Sequence, residues 1–226
     1  MLWNLFKFEL IFQFKKPAPH ILMGFCFFIT SLIVYFSLEY SPSRLYFHNS
    51  SGNHSEIYYA LFLFILVLTS SIAGYSILRD SENNTEEFFY TTPIEKWEFL
   101  LGRFFGSYLV LVYICIGIFL GTFTIYLYPE KYASKIGPLV FQNHFLPFAT
   151  IYILNSFVYG LLTFAIAILI PNQILLSIFG VIVLIVSGFS SKLVSDIEYS
   201  PYFSLLDPAG RAAADLDMKY WTPADY

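Results

Sequence analysis

The chain has 226 residues, of which 57% are hydrophobic and 12% charged, with a formal net charge of −4. A water-soluble domain carries about 25% charged residues, so this composition excludes an ordinary soluble globule, and the lack of any basic stripe excludes nucleic-acid binding. Cys26 and Cys115 both fall in apolar runs and are expected to act as small hydrophobes, not as a disulfide.

Residues 1–16 (MLWNLFKFELIFQFKK) predict a helix that stops before Pro17, because the residue preceding a proline is held out of the α region. Asn4, Lys7 and Lys15 fall on one side of the helical wheel and Glu9, Gln13 and Lys16 on another. The segment 1–20 is therefore expected to be an interfacial helix without a clean amphipathic face. A cleavable signal peptide is excluded: the first long apolar run begins near residue 20 and no small-residue cleavage pattern follows it.

Five apolar runs follow, at 21–38, 57–78, 104–128, 145–170 and 173–189, with only Pro171 and Asn172 between the last two. Each approaches the ~20 residues that cross a hydrocarbon core. The predicted fold is an all-α polytopic membrane protein, with a transmembrane domain over 21–190 and a polar tail over 191–226. In the tail, Asp207 and Pro208 suit a helix start, and Tyr220 and Trp221 suit a membrane–water boundary. Lysines and arginines divide evenly between the two sides, but the first hairpin holds Lys7, Lys15 and Lys16 against Arg44 alone. That bias predicts the N-terminus inside and the tail outside.

Drawn this way, the spans contain no Asp, Glu, Lys, Arg or His. Ion-coupled carriers, proton pumps and voltage sensors keep such groups at membrane depth, so the energy for any transport is expected from elsewhere. Asn155 and Ser156 are candidates to line a pathway, although an interhelical hydrogen bond is the commoner role for such residues. The third span and its approach carry two small-residue pairs, Gly102/Gly106 and Gly117/Gly121. At about 100° per residue all four fall on one face, where another helix backbone, within this chain or in a second copy, approaches closely.

The polar segments offer no catalytic residues. His48 and His54 share one loop without a third ligand, so a flexible solvated loop is expected there and not a metal site. The sequons at Asn49, Asn53 and Asn83 matter only in a glycosylating source. Neither a G-x-x-x-x-G-K-[ST] nor an H-E-x-x-H motif occurs, so no nucleotide hydrolysis, zinc chemistry or cofactor is expected of this chain itself.

Residues 79–103 are the most charged stretch. Asp80, Glu82, Glu86, Glu87, Glu95 and Glu98 surround the apolar cluster Phe88, Phe89, Tyr90, and Thr92 before Pro93 breaks one helix before another starts. A short helix lying across the membrane face, with acids and aromatic rings exposed, suits a groove on a soluble partner.

The run RDSENNTEEFFYTTPIEKWEFLLGRFFGS resembles the cytoplasmic coupling loop of type-2 ATP-binding-cassette (ABC) transporter permeases, on Asp80, Glu82, Thr85, Thr92, Pro93, Gly102 and Arg103. The stretch KLVSDIEYSPYFSLLDPAGRAAADLDMKYWTPAD is similar to the segment after the fifth span in a bacterial subfamily often fused to, or encoded with, a zinc aminopeptidase. Asp196, Asp207, Pro208, Gly210, Tyr220, Trp221, Thr222 and Pro223 carry that match, and Ala209 departs from it where the family has a bulky aromatic. The resemblance implies a permease subunit of an ABC exporter in a bacterial inner membrane, paired with a second permease copy. A separate ATPase would dock on Glu86, Glu87, Phe88, Phe89, Thr92 and Pro93, with Arg103 as an interfacial anchor. Members of the family have a sixth span, so this chain is expected to be an N-terminal piece. The alternatives are a membrane anchor for an aminopeptidase without transport, and a non-functional truncated fragment.

Overall fold

A computed structural model describes residues 2–40, 47–82, 95–128, 130–170, 172, 174–183 and 185. The expected docking residues Glu86, Glu87, Phe88, Phe89, Thr92 and Pro93, the tail 191–226 and the end of the fifth expected span lie outside them. Among the described residues the chain is helical throughout, without strands. The helices are α1 (Leu2–Phe14), α2 (Pro17–Tyr40), α3 (Ser51–Glu82), α4 (Lys96–Thr122), α5 (Phe141–Phe148), α6 (Asn155–Leu169) and α7 (Ile174–Val183). Two 3-10 turns, Phe123–Leu127 and Glu130–Lys135, follow α4, and a π-helical segment, Ala149–Leu154, joins α5 to α6.

Four continuous helices are long and apolar enough to cross a membrane: Pro17–Tyr40, Ser51–Arg79, Lys96–Leu127 and Phe141–Leu169. This is an all-α, polytopic integral membrane protein. The fifth expected span is described as the short apolar helix α7. Helix ends follow from local chemistry. Pro17 takes the first position of α2, where its missing N–H costs nothing and its fixed φ suits the helix. The π segment begins two residues after Pro147, as expected where a proline has interrupted the hydrogen-bond ladder.

The spans are longer than their apolar cores, and this corrects the sequence reading. Helix α3 starts at Ser51, within the stretch expected to be a solvated loop, and His48, Asn49, Ser50, Asn53 and His54 are all buried. The fourth span starts at Phe141 and so takes in His144, while the second and third take in Arg79 and Arg103. Once its carbonyls are engaged a helix continues through polar residues, so apolar run length underestimates helix length. These spans are not free of ionisable side chains.

Helix α4 is the centre of the bundle, and its four glycines account for how closely its neighbours lie. A Cβ at Gly102 would stand 2.9 Å from Leu5 Cβ, and one at Gly106 would stand 2.7 Å from Glu9 Cβ, both on α1. A Cβ at Gly117 would meet the Met23 carbonyl of α2, and one at Gly121 would stand 2.6 Å from Thr30 Cβ. The partners are thus two helices of the same chain. At Gly117 the obstacle is backbone, which cannot rotate away. Gly117→Ala is expected to cost about 1–3 kcal/mol by forcing α2 off α4, read as an earlier unfolding midpoint when SDS is titrated into mixed micelles.

The apolar core gathers Tyr58, Phe62, Ile65, Val110, Leu111, Ile114, Ile118, Ile151 and Tyr152 from α3, α4 and the π segment. Phe25, Phe28, Leu32 and Phe36 of α2 point outward, as lipid-facing residues do. Helix α1 is the exception to the usual pattern. Glu9 and Gln13 are buried and Leu10 and Phe14 pack against the core, while Trp3, Phe8 and Ile11 face out beside Asn4 and Lys7.

Candidate functional site

Polar side chains inside the bundle concentrate at the two ends of α3. His54 and Arg79 are 25 positions apart on that helix, about 37 Å at 1.5 Å per residue, which exceeds the thickness of the hydrocarbon core.

At the Arg79 end, Glu9 of α1 forms a buried ion pair with Arg79, with the Arg79 Nη2 to Glu9 Oε2 distance at 2.9 Å and both side chains at most 9% exposed. Gln13, one turn on from Glu9, donates to Glu9 Oε1 at 2.9 Å, and the Arg79 guanidinium lies 4.2 Å from the centre of the Phe12 ring. Lys16 covers the rings of Phe12 and Tyr75 at 4.6 and 4.5 Å. Arg103 on α4 is 3% exposed, donates to the Ser76 carbonyl of α3 and covers the Phe99 ring. Arg103 thus binds α4 to α3 inside the bundle. Among the described residues, Glu9, Arg79 and Arg103 tie α1, α3 and α4 together at this end.

At the His54 end the residues before α3 close over the turns after α4. Asn49 is the main brace. Its Nδ2 lies 3.0 Å from the Tyr126 hydroxyl, 2.9 Å from the Gly137 carbonyl and 2.9 Å from the Pro138 carbonyl, and its Oδ1 accepts from the Gly137 N–H at 2.8 Å. The His48 N–H donates to the Lys135 carbonyl at 2.9 Å, and Lys135 Nζ donates to the Leu38 carbonyl at 2.7 Å.

Proton bookkeeping assigns the tautomer of His144. Thr122 Oγ1 donates to the Phe119 carbonyl at 2.8 Å, so it accepts from His144 Nδ1, 3.1 Å away. Nε2 then carries the lone pair and accepts from the Tyr126 hydroxyl at 3.0 Å. The result is a directed chain from Asn49 through Tyr126 and His144 to Thr122. His54 sits beside it, 0% exposed, with its ring centre 4.0 Å from that of His144. Neither His54 ring nitrogen has a hydrogen-bond partner among the described residues.

Among the described residues between the two ends, the polar groups include hydroxyls, two thiols, the Asn155 amide and the His20 ring, which lies 2.9 Å from the Tyr113 hydroxyl and 3.0 Å from the Phe14 carbonyl. Tyr152 donates to the Tyr58 carbonyl at 2.8 Å, Tyr108 donates to the Ile153 carbonyl at 2.7 Å, and Ser156 donates to the Tyr152 carbonyl. Ile153 and Tyr152 belong to the π segment, where the altered ladder frees carbonyls for such donors. A void of about 10 Å³ lies between Thr69, Phe104, Ser107, Tyr108 and Gly160, at the lower limit for one water. Of the two candidate pathway residues, Ser156 is fully buried next to this region and Asn155 is half-buried.

Among the described residues no cluster of three or more metal-ligating side chains occurs. The His54–His144 contact, the Glu9–Arg79 pair and the Asn49 brace join residues far apart in sequence. The one local signal for any of them is a lone carboxylate within a Phe-rich N-terminal helix. No protein-family model matches the chain, and no curated protein matches it.

Proposed function

We propose that the chain is the membrane subunit of an ATP-driven exporter, with the segment 83–94 receiving a separate ATPase and the bundle forming one half of a pathway. The observation that carries this reading is mechanical. Both helices that flank the segment, α3 and α4, are tied at that end to a single helix, α1, through Glu9–Arg79 and through Gly102 and Gly106. Movement imposed on the segment would reach three helices together and not one. The resemblance of 79–103 to the coupling loop of type-2 ABC permeases supplies the kind of partner. It also supplies a second permease copy and a bacterial cytoplasmic membrane with the N-terminus inside.

The test is co-purification from detergent of the full-length protein with the ATPase encoded beside it. Capture of the ATPase is expected, with its loss in the Phe88→Asp/Phe89→Asp variant. An ATPase that never binds, or that binds the variant equally well, removes the docking assignment.

A further inference from the structure

The brace at Asn49 and the ring at His54 oppose one another. A neutral imidazole carries one N–H and one lone pair, and burying either without a partner leaves a cost that water would remove. His144, one ring away, has both nitrogens engaged, whereas among the described residues His54 has neither. Leucine or phenylalanine at position 54 would fill the same space without that cost. The closed arrangement is therefore held by the Asn49 hydrogen bonds against a fully buried group whose hydration requires the first turn of α3 to part from the first turn of α5.

We propose that this end of the bundle is a gate, with Asn49 as its latch and His54 as the group whose hydration favours opening. Among the described residues, the rings of Tyr58 on α3 and His144 on α5 face His54, and Thr122 and Tyr126 hydrogen-bond to His144 behind them. The inference takes its purpose from the exporter reading, but not its test, which reads opening in the chain alone. Loss of the ATPase partnership would leave the result unchanged.

The two residues have opposite predicted signs, which a purely structural role would not produce. Cys26→Ala and Cys115→Ala remove the native thiols, and Ile125→Cys places a reporter in the turn after α4, packed on Ile57 of α3 and 1% exposed. The full chain in liposomes is labelled with a membrane-impermeant maleimide. Asn49→Ala is expected to speed labelling at least about tenfold, and His54→Leu to slow it about threefold or more. Labelling that His54→Leu leaves unchanged or speeds, or that Asn49→Ala leaves unchanged, overturns the proposal. Hydrogen exchange of the unsubstituted chain gives an independent reading. Amides of 55–60 should exchange about tenfold faster than those of 72–77 at the other end of α3, and equal protection at the two ends also overturns it.

Discussion

Glu9→Ala is expected to destabilise the bundle by about 3 kcal/mol, because it removes the carboxylate half of a buried ion pair. The size follows from burial: Glu9 is 1% and Arg79 9% exposed at the side chain, so water cannot replace the missing anion. A surface pair of the same geometry would be worth about 0–1 kcal/mol. The measurement is SDS-titrated unfolding in mixed micelles, followed by far-ultraviolet circular dichroism. Removing both charges distinguishes a stranded ion from lost packing. The Glu9→Leu/Arg79→Leu variant should regain most of the loss, since a well-packed apolar pair replaces a buried ion pair at little cost. A Glu9→Ala variant within about 1 kcal/mol of the parent, the range of an exposed pair, would place this pair in contact with water and remove α1 from the bundle's framework.

Phe104→Ala is expected to cost about 3 kcal/mol. Phe104 is 2% exposed and meets Phe157 and Phe164 edge-on at 5.5 and 5.4 Å, with Tyr108 stacked at 6.0 Å. It also lies in contact range of Gly160 and lines the small void at mid-depth. The estimate sits at the low end for a buried phenylalanine because, in a membrane, the unfolded reference already places the ring in hydrocarbon. What is lost is dispersion contact and cavity energy, not transfer from water. The same micelle titration reads it. Phe104→Leu should recover over half of the loss, and equal losses for the two variants would show that ring volume is not what position 104 supplies.

The helical, membrane-spanning character of the chain was legible because it rests on local facts: long apolar runs, Pro17 as a break, and glycines spaced by four. The Gly102, Gly106, Gly117 and Gly121 face was visible by helical geometry alone. Its partners were not, since α1 and α2 are adjacent to each other in sequence but distant from α4. Helix ends were misjudged where polar residues continue a hydrogen-bonded ladder, as at Ser51–Glu56 and at Phe141–His144. The same error hid the polar ends of the bundle. His48 and His54 read as a solvated loop because nothing nearby in sequence shows that Asn49 reaches Gly137 and Pro138, 88 and 89 positions on. The inward turn of Glu9 and Gln13 was equally hidden, since a helical wheel shows which residues share a side but not which side meets protein.

The buried carboxylate of helix α1 bears on how the protein is made. Glu9 and Arg79 are separated by 70 positions, and at about 5–20 residues per second a ribosome takes several seconds to cover that distance. Through that interval α1 has neither the arginine that neutralises its carboxylate nor the glycine face that receives it. A segment with Trp3, Phe8 and Ile11 on one side and Glu9 and Gln13 on the other has a natural waiting place at the lipid headgroups. Docking of α1 then follows insertion and is completed only after α4 has entered the bilayer.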